Sequence, residues 1–446
     1  MAKPSFANIV CTTSSANSAI GTSAEPVFDT DHGSVVFSSN ISDDITWDQT
    51  AEAGTFTFAR DGIYHVVLSL LSINNAGNNN TTVTFTKNSD SAFYTGAHHV
   101  LAAQDPAEGT HQKILSISAG DVLHIEAVAA GGTIGVTKGT SLSITEITSG
   151  VYASNTVTTN ATTSTTDEFN PYDTDFSGGP VFAAGNQIAS TITFTGTAGS
   201  WTMPEDGKYF IMVSNFIGSA SSTNSNVTMH LKEGTNEIFT GAYRTGHATD
   251  PSEATICVIE DFAKGEVLTI TWDISSGQCQ ANVGSTITLY KINDTELARG
   301  PASFISVVNK ATMTATKVND AVKLTIERWV DSFPDPQNTT VQGVIDCAAG
   351  DVITVTIDSD SPNIGHDAGS TLTILKLRDG WVFRESDPDN HITQDYTLNT
   401  FSQDFLSTRY KRDTAQVPFL LGVPGPLSLR GRTNQVAVAS EGDKKN

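Results

Sequence analysis

The side chains most able to do chemistry in this 446-residue chain are few and scattered. His98 and His99 are the sole adjacent pair among its ten histidines, and paired imidazoles can bind a metal or relay a proton. A self-repeat, set out below, puts Tyr243 and Arg244 at the same two places, so no His-based site is common to both copies. The pair is read as part of a surface loop. Asp358, Asp360, His366 and Asp367 offer oxygen-rich chemistry suited to Ca²⁺, but not at the spacing of an EF-hand loop, and no metal is expected there. Asp61 and Asp206, like Glu108 and Glu253, recur between the copies. Paired carboxylates do acid–base work in hydrolases, yet carboxylates in turns more often serve the local backbone. Gly-x-Ser-x-Gly, His-Glu-x-x-His and phosphate-binding glycine loops are all missing, so no nucleophile is assembled with its base. The four cysteines, Cys11, Cys257, Cys279 and Cys347, have no Cys-x-x-Cys spacing and read as buried free thiols. The expectation is a non-enzymatic protein without cofactor or metal.

The composition must supply the elements that would position any site. Thr, Ser, Val, Ile, Gly and Asn dominate, charged residues make up only 16%, and helical Ala/Glu/Lys/Leu runs are nearly missing, which points to β-structure. A net charge of -23 repels phosphate and argues against nucleic acid as a partner. No run of apolar residues suggests a membrane span, and the start Met1-Ala-Lys-Pro-Ser-Phe6 has no secretory character, so a protein made soluble in a cytoplasm is expected. Asn-x-Ser/Thr triplets such as those at Asn80 and Asn226 arise by chance in a Thr-rich chain.

Self-similarity fixes the organisation without any assumption about fold. At an offset of 145, Gly54-Thr-Phe-Thr-Phe-Ala-Arg-Asp-Gly-Ile-Tyr64 matches Gly199-Ser-Trp-Thr-Met-Pro-Glu-Asp-Gly-Lys-Tyr209. In the same register Thr95-Gly96-Ala97 meets Thr240-Gly241-Ala242, Asp105-Pro106 with Thr110 meets Asp250-Pro251 with Thr255, Gly120-Asp-Val-Leu123 meets Gly265-Glu-Val-Leu268, and Gly139 meets Gly284. A shorter third copy follows at an offset of 85 from the second: Asp335-Pro336 with Thr340, Gly350-Asp-Val-Ile353, and Gly369-Ser-Thr-Leu-Thr-Ile374 against Gly284-Ser-Thr-Ile-Thr-Leu289. In it the stretch from Val322 to Ile326 replaces the central Tyr-containing strand, and the Thr-Gly-Ala block has no counterpart.

Alternation supplies the strands. Tyr64, Val66, Leu68 and Leu70 share one face, as do Tyr209, Ile211 and Val213, and these are core positions. The other face carries Ile63, His65 and Val67 in the first copy but Phe210 and Met212 in the second. A strand apolar on both faces is expected to be covered on both, by a neighbouring subunit. Gly-Asp-Val-Leu opens a strand after a tight turn, and the Asp-Pro pairs mark loops. Short strands between Gly/Pro turns give tandem all-β jelly-roll sandwiches.

These residues resemble the tumour necrosis factor/complement globular-head jelly roll: the Gly-x-Tyr strand after Phe-Thr and an Asp turn, the later Gly-Asp-x-hydrophobic strand, and the closing Gly-Ser-x-hydrophobic strand. The resemblance implies a ten-stranded sandwich that forms a homotrimer, with Tyr64, Tyr209 and the neighbouring Phe210 at the oligomer interface, to which the doubly apolar strand adds Met212. Such modules also occur in bacteriophage virion proteins as decoration proteins and fibre heads.

The expected organisation is an N-terminal arm (1–25), a first module (26–148), a Thr/Ser-rich linker or edge strand (149–170), a second module (171–293), a truncated third module (300–377) and an irregular C-terminal docking arm (378–446). The arm holds 9 basic and 9 acidic residues, so the modules carry all the net negative charge. Its Trp381, Phe383, Phe405, Phe419 and Leu420, with Arg409 and Arg412, suit docking against another protein. The functional expectation is a virion structural protein, a capsid decoration or tail-fibre component that binds other virion proteins. The alternative is an adhesin binding a host receptor or surface glycan through the loops 74–82 and 219–226.

Overall fold

The computed structural model describes residues 5–292, apart from segments 14–19, 30–34, 50–53, 75–78, 101–106, 164–167, 175–186, 219–225, 245–251 and 275–278 and residue 89. Beyond 292 it describes only short strands. Each of the first two repeats is a sandwich of two antiparallel sheets, and the chain is all-β jelly roll.

In the first module the inner sheet runs β3 (Val36–Ile41), β1 (Phe6–Thr13), β12 (Ser141–Glu146), β6 (Gly62–Asn74) and β9 (Ala107–Ile117), with β11 (Ile134–Val136) also on β6. The outer sheet runs β4 (Ile45–Asp48), β5 (Thr55–Phe58), β10 (Val122–Ala129), β7 (Asn79–Lys87) and β8 (Tyr94–Val100), with β2 (Glu25–Pro26) also on β10. The segment expected to be a free arm, 1–25, therefore supplies a central strand: Phe6 pairs with Thr145 and Ala7 with Ile41.

The second module repeats this order. Its inner sheet runs β15 (Gln187–Ala189), β13 (Tyr152–Thr156), β24 (Thr286–Lys291), β18 (Gly207–Gly218) and β21 (Ser252–Phe262), with β23 (Cys279–Ala281) on β18 and β14 (Ala161–Thr163) beyond it. Its outer sheet runs β16 (Thr193–Thr195), β17 (Ser200–Thr202), β22 (Val267–Ile274), β19 (Asn226–Glu233) and β20 (Asn236–Arg244). Within the stretch 149–170, expected to be a linker or edge strand, β13 and β14 belong to the inner sheet, and Phe169 bridges to Trp272 of the outer one.

Farther on, β25 (Phe304–Val308) pairs antiparallel with β29 (Thr371–Leu375), and β26 (Met313–Thr314) with β28 (Gly365–His366). β27 (Val352–Val355) runs parallel to β30 (Gln394–Leu398), which pairs with β31 (Thr408–Tyr410) and that with β32 (Phe419–Leu421).

Each core sits between its two sheets, and the alternation that specifies it is visible in β10, where Leu123, Ile125, Ala127 and Ala129 are buried and the intervening residues are not fully so. Tyr64 and Tyr209 face the interior of their own sandwiches. Tyr64 packs on Phe58 at 4.8 Å between ring centroids, and Tyr209 meets Phe262 edge-on at 5.7 Å. Their place is the module core, one residue out of phase with the outward face expected to carry oligomer contacts.

The recurring turn carboxylates bond to backbone. Asp61 accepts the Ala119 N–H at 2.7 Å, and Asp206 accepts the equivalent Lys264 N–H at 2.6 Å. Asp121 accepts the Asn88 side-chain N–H at 2.9 Å and the Ser118 N–H at 2.8 Å, which in that order hold its carboxyl below the usual carboxylate range.

Candidate functional site

The side chains with chemical potential gather where the two modules meet. The contact is edge on face: β9, with β8 beside it, lies across the outward face of the second module's inner sheet, on β24, β13, β18 and β21. Alternation puts Phe210, Met212 and Ser214 on that face, because Tyr209, Ile211 and Val213 point inward.

At one end of the seam the contact is apolar. Val67, Ile114 and Ile147 of the first module cluster with Phe210, Met212, Ile259, Tyr290 and Ile292 of the second. Phe210 stacks on Tyr290 at 4.7 Å, and the His65 ring lies edge-on to both at 5.9 Å. Burial lowers the His65 pKa to about 4, so the ring is neutral near pH 7. The amide of Gln112 donates to Met212 O at 3.1 Å and Thr286 O at 3.2 Å, which leaves its carbonyl facing His65 Nε2 at 2.9 Å. That arrangement requires the Nε2–H tautomer of His65.

Toward the other end the seam is polar. The Thr110 N–H donates to Glu253 Oε2 at 2.6 Å, Thr255 donates to the other carboxylate oxygen, and the Ser214 hydroxyl donates to Thr110 O. Burial pushes the Glu253 carboxyl up to about 7. Lys113 Nζ donates to Thr156 Oγ1 at 2.9 Å, and burial brings this ammonium down to about 7. Both charges thus sit at the edge of neutralisation, as expected for ionisable groups withdrawn from water.

A chain of hydrogen bonds runs from Ser72 Oγ to His98 Nε2 (3.3 Å), from His98 Nδ1 to His111 Nε2 (3.1 Å), from His111 Nδ1 to Tyr94 OH (2.9 Å), and from that hydroxyl to Gly284 O (3.3 Å) in the second module. Burial, then the neighbouring His98, holds the His111 pKa well below the usual value for histidine. His98 lies on β8 and is buried, contrary to the surface loop expected for it; its ring is enclosed because β8 sits in the seam. Gly284 has a φ of +93°, and a Cβ there would stand 2.4 Å from Gly96 Cα. The recurring Gly at each of these positions lets two backbones touch.

Chemically, this arrangement fastens: the named donors and acceptors satisfy one another in a water-excluded interface, which fixes the register of one module on the other. Among the expected interface residues, Phe210 and Met212 lie in this seam, where the cover on the second face comes from the preceding module of the same chain. Gln112, Lys113, His111 and Glu253 were not singled out as seam residues. The signal that points to them is a run of polar residues, His111-Gln112-Lys113, in a strand whose neighbours are apolar.

Among the expected docking residues, Arg409 falls on β31 and Phe419 and Leu420 on β32, with Arg409 paired to Leu420. Trp381, Phe383, Phe405 and Arg412 lie outside the described residues, as do Asp358, Asp360 and Asp367, while His366 is on β28. Among the described residues no group of three or more His, Cys, Asp and Glu is placed to hold a metal ion.

No protein-family model matches the sequence and no curated protein matches it. Solved structures similar to it include an Eiger TNF from S. frugiperda, at 15% identity and a TM-score of 0.25, covering 32% of this chain and 93% of that one. Murine APRIL at pH 8.0 is similar at 11% identity and a TM-score of 0.24, over 32% of this chain and 100% of that one. The fold assignment rests on the sheet order described above.

Proposed function

We propose that this chain is a non-enzymatic structural protein of a virion, a capsid decoration or tail-fibre component whose joined jelly rolls form a rigid head that binds other virion proteins. The observation that carries this reading is the use of the reactive side chains: His65, His98, His111, Lys113 and Glu253 are buried between modules, where they hold one module against the next. A head held this way presents loops and sheet edges in fixed relation, and its net charge of -23 favours partners with basic surfaces. The C-terminal segment 378–446, with Arg409, Arg412, Phe419 and Leu420, is the proposed anchor.

The test is co-fractionation. Particles purified by density from the culture that produces the protein are probed with antibody to the chain. The reading expects the chain to band with intact particles and to stay there through a high-salt wash. Its absence from particles, together with saturable binding of the full chain to a glycan array, would replace this function with the adhesin.

A further inference from the structure

The contact between the first two modules is heterologous: the edge of one meets the face of the next, so each copy keeps one unused surface. The same contact is made again farther along. β21 occupies in the second module the place of β9 in the first, and it lies against β25 and β29. Those two strands pair antiparallel as β1 pairs with β12 and β13 with β24, and the Gly369-Ser-Thr block of β29 matches the Gly284-Ser-Thr block of β24.

A second observation gives the sense of the repetition. Residues that are equivalent by the 145-residue offset come together in the apolar cluster: Val67 with Met212, Ile114 with Ile259, Ile147 with Ile292. His65 lies 5.9 Å from Phe210, its own equivalent. Equivalent points of two rotated bodies approach each other only near the rotation axis. The rotation is not twofold: away from that cluster β9 of the first module lies on β24 and β13 of the second, while β21 of the second lies against β25 and β29, so edge and face are not exchanged between the two modules. Successive copies therefore turn about one axis.

This leaves one face to account for. In the second module the outward residues Thr156, Thr288 and Tyr290 are buried, whereas Val10 (equivalent to Thr156 at an offset of 146), Ser143 and Thr145 are part-exposed in the first, with Asn8 and Ser141 buried beside them on the same face. We infer that the outward face of β1 and β12 is the docking site for the third module of the same chain, residues 300–377, which closes a ring of three jelly rolls in a single polypeptide. The repeat puts Gln342 where Gln112 stands, the residue that donates to two carbonyls of the second module. The third copy lacks the Thr-Gly-Ala block, so its sequence offers no counterpart to the Gly96–Gly284 type of approach at this closing contact. The inference does not depend on the virion reading.

The experiment uses the full chain carrying a photo-cross-linking amino acid at Ser143, prepared from an equal mixture of unlabelled and ¹⁵N-labelled protein. Light scattering is expected to give the mass of one chain, 47.2 kDa. Cross-linked peptides are expected to join residue 143 to the segment 337–347, always within chains of one label. A mass three times larger, or hybrid-label cross-links to that segment, would mean that a second copy covers the face and would overturn the inference. So would cross-links that never reach residues 300–377.

Discussion

Glu253 allows the seam to be tested through its proton. Its carboxyl is pushed from the ordinary glutamate value of 4.5 to about 7 by burial, with the Thr110 N–H and the Thr255 hydroxyl on its oxygens and Tyr94 close enough to feel its charge. Because the folded-state pKa lies above the unfolded one, the native protein holds more protons between pH 4.5 and about 7. The stability contributed by the neutral carboxyl is complete below pH 4.5 and is lost as pH rises through about 7. Each pKa unit is worth about 1.4 kcal/mol, so the full interval corresponds to about 3 kcal/mol. Glu253→Gln removes the ionisation and keeps a carbonyl oxygen for the Thr110 N–H. Urea unfolding followed by tryptophan fluorescence, at a series of pH values, should give variant and parent equal stability to within about 0.5 kcal/mol near pH 4. Near pH 8 the variant should be the more stable by up to about 3 kcal/mol. Comparing the two proteins at each pH cancels His65 and Lys113, whose pKa values are lowered by burial and whose contributions have the opposite slope. A difference that does not change with pH, or a variant weaker at pH 8 than at pH 4, would refute a buried carboxylate in the seam.

Three further outcomes are expected. Gln112→Ala removes donors from two carbonyls across the seam and should lower stability by about 2–4 kcal/mol, with faster amide exchange in β9 and β24; unchanged exchange would show that the seam does not need it. Tyr209→Ala should cost about 3–5 kcal/mol with no change in mass by light scattering, since its ring fills the module core; a change of oligomeric state without loss of stability would return it to an interface role. Alkylating reagents should leave Cys11 and Cys279 unmodified until the chain unfolds, because burial raises the Cys11 thiol to about 11 and the Cys279 thiol higher still; labelling at native protection factors, read by peptide mass, would contradict their packing.

The strands of each module were legible because alternation and the 145-residue repeat report on neighbours within one sandwich, which are dictated by the local period. Tyr64 and Tyr209 were rightly placed in the core by that alternation, and their further assignment to an oligomer interface came only from the resemblance. β1 escaped because its glycine markers are gone; a slightly different offset, 146, would have revealed it, with Phe6-Ala7 matching Tyr152-Ala153 and Thr12-Thr13 matching Thr158-Thr159. The seam was hidden for a physical reason. His111, Gln112 and Lys113 look like an exposed edge when only their own sheet is considered, and they are buried by a body whose position no periodicity encodes. The doubly apolar strand at Phe210 and Met212 did announce a cover, and the error lay in assigning that cover to another chain.

Residues 147–151 are all that separates β12 from β13. So short a tether makes docking of the second module on the first a unimolecular event, with an effective concentration on the order of millimolar or above. Dilution cannot separate the pair, and a seam that would be feeble between free subunits stays shut. Covalent joining also releases the copies from identity: a histidine can face a phenylalanine across the axis, and each joint can be tuned alone, which three copies of one short chain could never achieve.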